Sequence, residues 1–131
     1  MVAVFRLPGL FMRLKSKVIG GADMSAMFTI EEYRVRITVL KKLFHKDFVE
    51  KYSASPESWT ECKHFEVGQE FITSSKAPWK IPEGFCGWAW ADIQKLVYGM
   101  ARGGQDVFIT CCTDGYRPVI FKLEKMLNTS E

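Results

Sequence analysis

Within nine residues, the segment Gly84-Phe85-Cys86-Gly87-Trp88-Ala89-Trp90-Ala91-Asp92 gathers a thiol, two indoles and a carboxylate. Cys86 falls just before an amphipathic run, where the unpaired N–H groups and the positive dipole end of a helix favour a thiolate. Trp88 and Asp92 are four apart and share one helix face, while Trp90 points elsewhere. As a site, this is a reactive or ligating thiol beside an indole wall, with Cys86, Asp92 and Cys112 the candidate catalytic set. As packing, it is a small core cysteine and two buried tryptophans, with Asp92 bonded to a backbone group or a base.

Cys111 and Cys112 are adjacent in a strand-like run, so their side chains point to opposite faces. One belongs to the core; the other could join Cys86 and Cys62. Cys62-Lys63-His64 then adds a histidine, and Cys62, His64, Cys86 and Cys112 become candidate ligands of the soft type that suits zinc or iron. No C-x-x-C pair occurs, so the spacing is not that of a zinc finger, and a redox disulfide among the same thiols is an equal alternative. Asp114 and Arg117 bracket Tyr116 in a second motif. A turn aspartate bonds its own backbone, whereas Arg117 could grip a ligand carboxylate or phosphate in a fork. Trp88, Trp90, Asp114 and Arg117 are therefore the candidate ligand-binding residues.

Other signatures are missing: the glycine-rich dinucleotide turn, the phosphate-cradling loop and the paired-histidine zinc helix. His45 and His64, the two histidines present, leave few ways to pair a Ser or Cys nucleophile with a base, and His45 reads as solvated. No cofactor is assigned.

The elements that must hold these residues follow from periodicity. Tyr33 to Val39 alternates apolar and polar residues as a half-buried strand does. Leu43, Phe44, Phe48, Val49 and Tyr52 then fall at helical spacing. Glu66 to Thr73 reads as a strand with Val67 and Phe71 in phase and Gly68 as a bulge or tight leading turn. Ala89, Ile93, Leu96, Val97 and Met100 mark the main helix, Trp88 to Arg102, stopped by Gly103-Gly104. Val107 to Cys112 and Val119 to Glu124 flank Asp114-Gly115, a hairpin signal in which glycine supplies a positive φ. The expected order is strand, helix, strand, helix, strand, strand. This is an α+β domain with a small mixed or antiparallel sheet and two helices, and a small closed barrel with helices is the alternative.

The 131 residues, 47% hydrophobic and 14% aromatic, suit one globular domain. Of its net charge of +3, the bases Arg6, Arg13, Lys15 and Lys17 precede the first acid, Asp23. From Asp23 onward bases and acids nearly balance, leaving no basic stripe for a phosphate backbone; nucleic acid is not an expected partner. Apolar runs are too short for a membrane span. The first residues carry a weak transit-peptide pattern broken by Pro8-Gly9, so residues 1–30 are expected to be an extension, with Met24 and Met27 as alternative starts, and 31–131 the single domain. Cysteine usage fits reduced thiols in cytoplasm.

Three separated motifs then occur in order: Gly84-Phe-Cys-Gly-Trp-Ala-Trp-Ala-Asp-Ile; Gly103-Gly104; and Cys111-Cys-Thr-Asp-Gly-Tyr-Arg-Pro-Val-Ile-Phe-Lys-Leu-Glu. From about Tyr33 onward, and including the Cys62 region and Val67-Gly68-Gln69-Glu70-Phe71, the chain resembles a family of short bacterial and archaeal proteins of uncharacterised activity. The resemblance implies that Cys86, Trp88, Trp90, Asp92, Cys112, Asp114, Gly115, Arg117 and Pro118 hold motif positions, and it implies no reaction or cofactor. Where that family often has Pro after the first cysteine, this chain has Gly87, which loosens the backbone before the helix. Two functions are expected to compete. One is a cytoplasmic binding or assembly protein, homo-oligomeric, with a small-molecule ligand; the other is a thiol- or metal-dependent enzyme centred on Cys86.

Overall fold

The computed structural model describes residues 32–126 and, for backbone alone, three strands before them. Those strands, β1 (Val2–Leu7), β2 (Leu10–Lys15) and β3 (Phe28–Ile30), form an antiparallel sheet in the order β1-β2-β3. The extension expected over residues 1–30 falls on these strands and, for its remainder, outside the described residues.

The second sheet carries the candidate motifs. It contains β4 (Val35–Lys42), β5 (Glu70–Ile72), β6 (Val107–Cys111) and β7 (Val119–Lys125), in the order β5-β4-β7-β6 with every neighbour antiparallel. Helix α1 (Lys46–Tyr52) follows β4, and α2 (Gly87–Ala101) lies between β5 and β6. This is the α+β order read from periodicity. The sheet is open, with β5 and β6 as its edges, so the closed barrel is set aside.

Alternation in β4 buries Val35, Ile37 and Val39, and β7 answers with Val119, Phe121 and Leu123 on the same face. Against that face α2 packs Ala89, Trp90, Ile93, Val97 and Met100, the residues spaced at three and four along its length. Phe65, Phe71, Phe85 and Phe121 meet edge-on or tilted, with ring centroids 4.9–5.9 Å apart, and close one end of the core.

Element boundaries shift for identifiable reasons. Tyr33 lies ahead of the strand because its N–H donates to the Ala101 carbonyl at the end of α2. Leu43 and His45 donate to Pro118 and Tyr116 carbonyls, which holds the chain extended and delays α1 to Lys46. Val67 is not in phase with Phe71: it is exposed in a turn in which Gln69 N–H reaches the Glu66 carbonyl and Gly68 takes φ 90°.

Helix α2 ends in a Schellman motif. Gly104 N–H donates to the Gly99 carbonyl and Gly103 N–H to the Met100 carbonyl, with Gly103 at φ 93°. A Cβ at position 104 would lie 2.8 Å from the Gly99 carbonyl oxygen, a backbone atom with little room to yield. Gly104→Ala is accordingly expected to lower stability by about 1–3 kcal/mol, seen as an earlier urea midpoint at unchanged slope.

Candidate functional site

The connection from β6 to β7 is wider than a tight hairpin, and it shapes the site. Cys112 N–H still pairs with the Val119 carbonyl at 3.2 Å, after which the chain swings out through Thr113 to Pro118. Gly115 does not supply the positive φ expected of it; among the described glycines that conformation belongs to Gly68, Gly84 and Gly103. The turn is closed instead by Asp114, whose Oδ1 accepts the N–H groups of Tyr116 at 3.1 Å and Arg117 at 3.3 Å.

The other Asp114 oxygen accepts a hydrogen bond from Arg117 Nε at 3.1 Å. The guanidinium also stands over the Trp59 ring, 4.9 Å from its centroid, and Trp59 meets Tyr116 edge-on at 4.8 Å. Arg117 is thus held by one nitrogen and one face. Trp59 gave no signal in the sequence, because it comes from an aperiodic segment just after the 3-10 turn Pro56–Ser58.

Opposite this loop, the first turns of α2 present Trp88 and Asp92 on one face, as their spacing predicts. Asp92 accepts the Thr113 N–H at 2.8 Å and its hydroxyl at 3.1 Å, while Trp88 Nε1 donates to the Thr113 oxygen at 3.1 Å. Asp92 therefore anchors the loop to the helix, which is the packing alternative for this residue, and Thr113 is the partner that sequence reasoning missed. Trp88 remains 66% exposed, whereas Trp90 is buried against Phe85.

Between loop and helix lies a cavity of about 430 Å³, within the range of small-molecule sites. Its wall includes Cys62, His64, Cys86, Trp88, Cys112, Asp114 and Arg117, with Phe65, Ala89 and Val119 as apolar floor. Seven candidates from three separate stretches of sequence share this wall. Trp90 and Asp92 do not line it.

The thiols occupy different environments. Cys112 is buried, and its sulfur accepts the Val119 N–H at 3.4 Å, while Cys111 is exposed on the opposite face of the sheet. The core cysteine of the adjacent pair is thus also the one that reaches the cavity. Cys62 and Cys86 are partly buried and packed against the core. Cys86 is the N-cap residue of α2 and makes no side-chain cap bond. All four cysteines are free. Among the described residues no three His, Cys, Asp or Glu side chains form a group suited to a metal ion, so Cys62, His64, Cys86 and Cys112 share a wall without forming a ligand set.

His64 Nε2 lies 3.1 Å from the Gly84 carbonyl oxygen, so this nitrogen carries the proton it donates. That bond ties the Cys62 segment to the one leading into Cys86. No described helix is long and apolar enough to cross a membrane. Comparison of the chain with family models, curated proteins and solved structures gave no match.

Proposed function

We propose that the cavity binds a small organic anion and that the chain is a cytoplasmic binding protein, working as a homo-oligomer. The observation that carries this reading is Arg117. Its Nε bonds Asp114 and its face lies on Trp59, so the side chain is pre-positioned on the cavity wall. The two terminal nitrogens have no protein hydrogen bond among the described residues and suit a carboxylate or phosphate in a fork. Trp88, largely exposed at the cavity wall, supplies apolar surface for the remainder of such a ligand. The exposed apolar side chains Val107 and Ile109 on the edge strand β6 support association of copies, which light scattering would measure.

Isothermal titration of the purified chain with benzoate, indole-3-acetate and inorganic phosphate tests the ligand class. Saturable binding is expected for at least one, weakened roughly tenfold or more by Arg117→Lys, which keeps the charge but loses the fork. Equal affinity for wild type and R117K, or binding by neither, sinks the proposal.

A second reading is favoured by one observation: Cys86 lines the same cavity, partly exposed, with no cap bond to occupy its sulfur. It retains Cys86 as a nucleophile toward the bound molecule. Iodoacetamide is expected to alkylate Cys86 in the native protein, and a bound anion to slow that labelling. Labelling only after denaturation would remove this reading and leave the first intact.

A further inference from the structure

We propose that Cys62 and Cys86 are an oxidation site: under hydrogen peroxide they join in a reversible disulfide that closes the thiol side of the cavity. The selection of this pair is structural. Cys112 is 7% exposed and its sulfur is engaged by the Val119 N–H, which fixes it in the ladder. Cys111 lies on the other face of the sheet. Cys62 and Cys86 remain, both on the cavity wall and both partly accessible.

The two sit on chain that is held together yet free of ladder constraints. Cys62 is in irregular backbone between the 3-10 turn and β5, and Cys86 stands just outside α2. The bond from His64 to the Gly84 carbonyl joins these segments at 3.1 Å, and each cysteine is two residues from it. Two residues of chain span at most about 7 Å, so the Cys62 Cα lies within that reach of the His64 Cα, and the Cys86 Cα within it of the Gly84 Cα. A disulfide needs Cα atoms roughly 4.4–6.8 Å apart, a separation that adjustment of irregular backbone can supply without disturbing the sheet.

Written with Cys86 as first nucleophile, its sulfur attacks one peroxide oxygen. The O–O bond breaks, an S–O bond forms, and the departing hydroxide leaves as water with the thiol proton. The Cys62 sulfur then attacks Cys86 sulfur, forming S–S, breaking S–O and releasing a second water with the second thiol proton. Two thiols lose two electrons, and one peroxide is reduced to two waters. A dithiol reductant reverses the bond.

The consequence for ligand binding rests on the anion reading above; the bond itself does not. The experiment treats the full chain, and a C111S variant that cannot couple copies through the exposed thiol, with stoichiometric hydrogen peroxide. Free thiols are then blocked, and intact mass and peptides are read. The expected product has lost two hydrogens, retains two of the four thiols of the full chain or one of the three of C111S, yields one linked peptide pair holding Cys62 and Cys86, and reverts with dithiothreitol. Cys62→Ser and Cys86→Ser each abolish the loss of hydrogens, and mapping of the wild-type bridge stands even where a Ser variant folds poorly. Gain of oxygen without loss of hydrogen, a bridge to Cys111 or Cys112, or no reaction overturns the proposal. The oxidised protein is expected to bind the best anion of the titration panel at least tenfold more weakly. A bridge that forms and leaves affinity unchanged overturns the closure. Absence of anion binding by the reduced protein counts against the ligand reading alone, since the mass and peptide readouts need no ligand.

Discussion

Phe121→Ala is expected to remove about 3–5 kcal/mol of stability, the largest single loss of any substitution considered. Phe121 is fully buried in the central strand β7, with Phe65 at 5.2 Å and Phe85 at 5.5 Å between ring centroids. Truncation removes the transfer energy of the ring and leaves a void that neighbours on both sides can fill only by moving. Phe65 and Phe85 belong to two of the three segments that carry the cavity, so slack there spreads to the site. Because a domain of this size has about 5–15 kcal/mol in total, a marginally folded variant is expected. Phe121→Leu, with less volume lost, should retain most of the fold. Urea melts of both variants test the packing account, and equal midpoints for Ala and Leu would refute it.

Asp92→Ala is expected to cost about 1–1.5 kcal/mol, because it removes charge-assisted bonds to the Thr113 N–H and hydroxyl, exposed groups whose loss water offsets only in part. Trp88, bonded to that hydroxyl, should lose its orientation too, so tryptophan emission is expected to shift as stability falls. Asp92→Asn retains one acceptor oxygen and should recover about half the loss. This pattern separates an anchoring role from a catalytic one. A variant with unchanged stability and emission but altered reactivity at Cys86 would return Asp92 to the catalytic set.

Much of the fold was legible because period-two and period-3.6 patterns are intrinsic to the chain: Val35, Ile37 and Val39 alternate, and Ala89, Ile93, Val97 and Met100 stripe one helix face. The same geometry placed Cys111 and Cys112 on opposite faces. Which of them is buried depends on the pairing of β6 with β7, a long-range fact no local pattern encodes. Residue type alone makes Trp90 a candidate ligand contact, yet two residues from Trp88 on a helix it must face elsewhere, and elsewhere is the core. The Asp114-Gly115 signal suggested a tight turn, but carboxylate bonds to Tyr116 and Arg117 closed a wider loop without a positive φ at Gly115. Trp59 was invisible because its contact with Arg117 joins two loops far apart in sequence.

The strand order carries a kinetic consequence. The central pair of the sheet, β4 with β7, joins the beginning and the end of the described domain, so its ladder cannot zip until most of that chain has been brought round. Loop closure on that scale is entropically slow, and topologies rich in distant pairings reach the native state on the order of milliseconds to seconds. During synthesis β4 emerges early and waits beside β5 without its principal neighbour, while α2, built from local bonds, can already coil. Only when β7 clears the ribosome can Phe121 enter the aromatic cluster and Cys112 meet Val119. The cavity wall therefore assembles only after translation of β7, with the unpaired edge of β4 exposed to other chains until that moment.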